Sequence, residues 1–153
     1  MLNLLWMVVL ACRLGTAPVG LPVVGQPAPA ISSVALGGAP FSLSALRGTP
    51  VVLVFWASWC GPCREEVPEI AALVQQYGET VHVVSLNAGE SPPVAADAAE
   101  RWGIDWLVVF DPDGQIQANY HVNAIPLVVI LDREGTIRYR DFTLPEDLSP
   151  FMD

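Results

Sequence analysis

The chain has 153 residues, 52% of them hydrophobic, which suits one domain with its own core. Sixteen Asp and Glu against seven basic side chains give a net charge of −9, and every basic residue is Arg. With no basic stripe to neutralise phosphates, the composition speaks against a nucleic-acid partner.

Met1 to Ala11 is an apolar run that ends at Cys12-Arg13. Its length matches the apolar region of a signal peptide and falls short of the ~18–20 residues that span a bilayer. Extending the span to Val24 would bury Arg13 at a cost of ~2.5–3.5 kcal/mol and take in Gly15, Pro18, Gly20 and Pro22. Val9-Leu10-Ala11-Cys12 resembles a bacterial lipobox, in which the cysteine is lipidated after cleavage; Leu10 is bulkier than that motif's usual residue. Residues 1–24 therefore read as a signal or anchor segment with a linker, and residues 25–153 as the domain. Gly and Pro are dense from Gly15 to Pro29, as in a tether.

Ile31 to Leu36 and Phe41 to Leu43 are expected to form a hairpin around Gly37-Gly38, with one helical turn at Ser44 to Arg47. Val51 to Val54 is a β-branched apolar run and predicts a buried strand. It leads through Phe55, Trp56 and Trp59 into Cys60-Gly61-Pro62-Cys63, after which the pattern turns helical. Two cysteines thus stand where a strand hands over to a helix. The free N–H groups and dipole of a helix N-terminus favour a thiolate, and a thiol of pKa ~8.5 falls to roughly 3.5–7.5 in such settings. Cys60 is the expected exposed nucleophile; Cys63, one turn later, can attack the mixed disulfide that Cys60 forms. Pro62 suits the first helical turn, where its missing N–H has no helical partner anyway. A zinc site would need a second pair of ligands. The other cysteine is Cys12, and His82 and His121 are isolated.

The helix is expected over Pro62 to Tyr77, with Val67, Ile70, Ala71 and Val74 on its apolar face, Pro68 kinking it and Gly78 ending it. Thr80 to Asn87 reads as the next strand, with His82 a core or edge residue. The loop Ala88-Gly89-Glu90-Ser91 follows at its C-terminal end, where active crevices of open α/β sheets form. A second helix is expected over Pro92 to Gly103, a strand over Trp106 to Phe110, a turn at Asp111 to Gly114, and a short helix or loop to Val122. Asn123-Ala124-Ile125-Pro126 then leads into a hairpin of Leu127 to Leu131 and Thr136 to Arg140. Leu144 to Met152 is expected to close the chain as a short helix.

F-W-A-S-W-C-G-P-C-R followed by Pro68 resembles the active-site strand, loop and helix of thioredoxin-like thiol–disulfide oxidoreductases. The prelude from Gly25 and the Gly89-Glu90-Ser91 loop are similar to those of the TlpA/ResA-like, redoxin-related branch. The resemblance covers about Gly25 to Phe142. It implies an α/β thioredoxin-like fold: a mixed central sheet flanked by helices, with an N-terminal β-hairpin extension. It implies that Pro126 faces the cysteines in a cis bond, freeing the Ile125 backbone to pair with an extended substrate. Leu127 follows where relatives mostly carry Thr. Thioredoxin's buried acid is replaced by Val54, so Glu90 becomes the expected proton acceptor or pKa-tuning group. Trp59, Gly61, Pro62 and Ile125 are the expected substrate contacts.

The resemblance implies a protein disulfide reductase outside the cytoplasm, with no cofactor beyond the Cys60–Cys63 pair and no metal. Its partners would be protein disulfides such as apocytochrome c before haem attachment and a membrane thiol electron donor, with the enzyme a monomer. Two rivals stand beside it. A peroxiredoxin-like peroxidase would carry Thr or Ser three residues before the reactive cysteine, where Ala57 stands. A copper-binding assembly chaperone would use a C-x-x-x-C pair with His121 as third ligand; the spacing here is one residue shorter.

Overall fold

The structure is a computed structural model that describes residues 21–152; the readings of Met1–Ala11 and Cys12 lie outside the described residues. Seven strands and three α-helices follow in the order β1 (Ser32–Val34), β2 (Pro40–Ser42), β3 (Val51–Trp56), α1 (Gly61–Tyr77), β4 (His82–Ala88), α2 (Pro92–Trp102), β5 (Leu107–Asp111), α3 (Gln115–Asn119), β6 (Leu127–Leu131) and β7 (Ile137–Asp141). The main sheet has the order β5-β4-β3-β6-β7, with β3, β4 and β5 parallel and β6 and β7 antiparallel to their neighbours. β1 and β2 form a separate antiparallel hairpin, as expected, followed by a 3-10 turn at Leu43–Leu46.

β3 is central, and all six of its residues are buried. Side chains alternate across a strand. Val51, Leu53 and Phe55 pack on one face with Ile31, Phe41 and Tyr120, whereas Val52 and Val54 face α1 through Ile70 and Leu73. Both faces are covered, so the strand reads as an unbroken apolar run rather than an alternating one. On the α2 side, Ala95, Ala98 and Ala99 are fully buried, and their small size lets the Trp56 and Trp102 rings approach to 5.2 Å.

The N-terminal prelude closes both open edges of the sheet. Gly25 N–H donates to the Ile137 carbonyl at 2.8 Å and Ile137 N–H to the Gln26 carbonyl at 2.9 Å, along the outer edge of β7. At the opposite edge, Leu36 N–H donates to the Val108 carbonyl on β5 at 2.8 Å. Unpaired edges are templates for aggregation, and the prelude occupies both. One buried bond fastens it to the body, from the Tyr120 hydroxyl to the Pro29 carbonyl at 2.8 Å.

The expected closing helix over Leu144–Met152 does not form. Only a 3-10 turn at Ser149–Phe151 is present. Pro145 and Pro150 remove two amide donors from a segment too short to nucleate a helix on its own. Leu148 is nonetheless buried against the α1 side of the sheet, so packing holds the tail where helical hydrogen bonds do not.

Replacing Tyr120 by Phe removes the bond to Pro29 and leaves a buried carbonyl unpaired. Urea unfolding is expected to show a loss of about 1–2 kcal/mol. Hydrogen exchange should accelerate first at the amides of Gly25, Leu36 and Ile137.

Candidate active site

β3 ends at Trp56, and Ala57 to Trp59 turn the chain into α1, with Cys60 N–H donating to the Ala57 carbonyl at 3.1 Å. Cys60 is the N-cap of α1, and its Sγ accepts from Cys63 N–H at 3.2 Å. Pro62 stands in the first turn, as its fixed φ and missing N–H predict. Cys60 and Cys63 form a disulfide. In this state Cys60 is 4% exposed and Cys63 3%, so the expectation of an exposed Cys60 is corrected: both residues are buried. Their cover is Trp56, Phe110 and the alanine face of α2, with Ile125 packed alongside.

The Ile125–Pro126 bond is cis. Pro126 is buried and Ile125 half-buried, at the edge of the cluster that holds both cysteines. Asp111 sets this loop indirectly. Its buried carboxylate accepts from Ile116 N–H at 2.9 Å and Gln117 N–H at 2.8 Å, capping α3 just before the loop. His121 has a left-handed φ of 48°, and its carbonyl accepts from Arg140 Nη2 at 3.1 Å. It serves the loop backbone. Among the described residues no three His, Cys, Asp or Glu side chains gather in metal-binding geometry.

Glu90 does not stand free. Its carboxylate accepts from the Ser58 N–H at 2.8 Å, the Ser58 hydroxyl at 2.5 Å and the Asn87 side-chain amide at 2.8 Å. Burial opposes ionisation, but these bonds from Ser58 and Asn87 outweigh it and hold the carboxyl below its ordinary range. A carboxylate held ionised in this way accepts a proton poorly near neutrality. Its visible work is to lock Ser58, two residues before Cys60, to the end of β4.

A second carboxylate escaped the sequence reading. Glu66 lies one helical turn beyond Cys63, and its Oε2 is buried with no hydrogen-bond partner among the described residues. Burial, then the nearby charge of Glu69, raises its pKa from 4.5 to about 7. The spacing Cys63, Glu66, Ile70 carried the signal, because positions three and four apart share a helix face and both neighbours are buried. Glu66 lines an open cleft of ≈ 560 Å³ together with Pro62, Ile125, Pro126 and Phe142. Trp59 does not belong to the core: it is 74% exposed and lines an adjoining cleft on the other side of Ile125. A more enclosed apolar cavity lies at the far end of β3, beside Val51 and Leu131, remote from the cysteines. Gly61 and Pro62 are exposed beside the disulfide.

The redoxin family model matches residues 23–147. The chain belongs to the redoxin family. It is 36% identical over 117 residues to the thioredoxin-like protein YneN of Bacillus subtilis, covering 74% of this chain and 68% of that one. It is 33% identical over 116 residues to the thiol-disulfide oxidoreductase ResA of Geobacillus kaustophilus, covering 75% and 67%. Among solved structures, a Chlorobium tepidum protein described as thiol:disulfide interchange protein DsbE superposes with a TM-score of 0.75 at 30% identity, covering 83% of this chain and 89% of that one. This redoxin is a thiol–disulfide oxidoreductase with a thioredoxin-like fold.

The two carboxylates predict opposite effects on stability. The folded pKa of Glu66 lies above its ordinary value of 4.5, so stability falls as pH rises from there through about 7. Discounted for solvent screening, the loss is about 1–2 kcal/mol. Urea unfolding of Glu66→Gln should therefore show a gain of that size at pH 8 and none at pH 4. Glu90→Ala strips Ser58 and Asn87 of their acceptor and is expected to cost about 1–2 kcal/mol at pH 7. Because the Glu90 pKa is depressed, its ionic contribution is present above the unfolded value and shrinks as pH falls through the folded one.

Proposed function

We propose that this redoxin is an extracytoplasmic reductant of protein disulfides. The observation that carries the reading is the Cys60–Cys63 disulfide at the N-terminus of α1, with Ile125 packed against it. In the reduced enzyme the Cys60 thiolate attacks one sulfur of a client disulfide. A Cys60–client mixed disulfide forms and the other client sulfur leaves as thiolate. Cys63, deprotonated, then attacks the Cys60 sulfur, closing the intramolecular disulfide and releasing the second client thiol. Two electrons pass from the pair to the client, and a dithiol donor must return them.

Glu66 is the group we assign to the second step. Its carboxyl titrates near neutral pH, one turn from Cys63, so its anionic form can accept the Cys63 proton. Glu90 keeps the Ser58–Cys60 approach in place through its bonds to Ser58. The Ile125 backbone pairs with the client segment, Pro126 orients it, and Trp59, Gly61 and Pro62 complete the contact. The Gly-Pro pair between the cysteines favours the reducing direction, since a less stabilised thiolate makes a poorer oxidant. Export is supported by the apolar run of Met1–Ala11 and the cysteine that follows it. Apocytochrome c before haem attachment is a client of the right kind, and a membrane dithiol the matching donor.

Equilibration against glutathione and dithiothreitol buffers is expected to place the pair near or below about −230 mV. A value near about −120 mV would mean an oxidant instead. Mixing Cys63→Ser with a disulfide client should accumulate a covalent adduct through Cys60, which Cys60→Ser should not form.

A further inference from the structure

Two clefts meet over Ala124 and Ile125, and their chemistry differs. The cleft on the Trp59 side is bounded by Ala88, Val122 and Ile125, with Gln117 and Asn123, and carries no charge. The cleft on the α1 side sets Glu65, Glu66 and Glu69 against Ile125, Pro126 and Phe142. Trp59 and Phe142 are 74% and 54% exposed, two large apolar side chains flanking the same centre.

Among the described residues no cation lines this cleft with the three carboxylates. Arg140 faces a separate cavity on the other side of Phe142 and donates to the His121 carbonyl. Arg64 lies on α1 but not on the cleft wall, and Ala124–Pro126 and Phe142–Thr143 bring no charge. Glu65 and Glu69, four apart on α1, carry like charges that repel in the free enzyme, and Glu66 adds to them as it ionises. A positive side chain entering the cleft would relieve this repulsion.

We propose that the α1-side cleft binds the client chain next to its cystine and selects segments with a Lys or Arg within a few residues of the reacting cysteine and apolar side chains on the opposite flank. This rests on the disulfide-exchange reading and adds the substrate class. A client strand crossing Ala124–Ile125 places its apolar flank against Trp59 and its basic flank against Glu65 and Glu69. Clients with acidic flanks meet the wall of like charge and are rejected.

The test uses the reduced full chain and cystine peptides that differ only in Lys, Gln or Glu two residues from the cysteine. At low salt, kcat/KM for the Lys peptide is expected to exceed that for the Glu peptide roughly tenfold, falling to about twofold near 0.5 M salt. In Glu65→Gln/Glu69→Gln the ratio should drop below about two. In Glu79→Gln, beyond the far end of α1, it should be unchanged. Equal rates for all three peptides would overturn the proposal while leaving disulfide reduction standing. A ratio that moves as much in Glu79→Gln would overturn it too, since net charge would suffice. Failure to reduce any peptide would overturn both readings.

Discussion

The pairing of β3 on both edges and its packing on both faces fix where the cysteines can stand. Val54 is held between Ser85 on β4 and Val128 on β6, and neither it nor its neighbours can shift without breaking two ladders. The strand stops at Trp56, whose ring is buried against Trp102, and the next free backbone donors belong to the start of α1. Cys60 occupies that junction, and Cys63 N–H already points at its sulfur. The helix N-terminus is therefore fixed in place by the sheet, so its dipole acts on the sulfur without reorganisation.

Two carboxylates near this junction have been pushed apart by their surroundings. Glu90 has three donors and stays ionised; Glu66 has a buried oxygen with none and titrates near neutrality. Divergent environments of this kind separate structural from proton-carrying acids. With Val54 apolar, no ionisable group rises from β3 beneath the disulfide. Glu66 lies instead on the helix that carries the cysteines, one turn beyond Cys63.

Local features were the legible ones. The W-C-G-P-C turn, the hairpin at Gly37-Gly38 and the Ile125–Pro126 loop each declare themselves within a few residues, and the central strand through its unbroken apolar run. What escaped depends on distant segments. Cys60 is buried because Phe110 and α2, both more than thirty residues on, close over it beside Trp56. All three of Glu65, Glu66 and Glu69 line the cleft over the 124–126 loop, and only tertiary burial of its Oε2 singles out Glu66. Glu90 was legible from its loop, but nothing around it in sequence names Ser58 as its hydrogen-bond partner. The closing segment has apolar residues at helical spacing, yet its prolines outweigh the pattern.

The direction of electron flow follows from which of two fields dominates the Cys60 sulfur. The α1 dipole and the Cys63 N–H stabilise a thiolate, and acting alone they would make the disulfide a strong oxidant. Burial under Trp56 and Ile125 works against charge. Carboxylates of the neighbouring cleft would add to that cost, and so favour the disulfide over the ionised dithiol. A basic client segment reverses part of that cost while it is bound. The thiolate is then most stable when there is a disulfide in reach to attack, and least stable when there is none. Coupling of this kind would keep the pair from exchanging readily with neutral or acidic thiol partners.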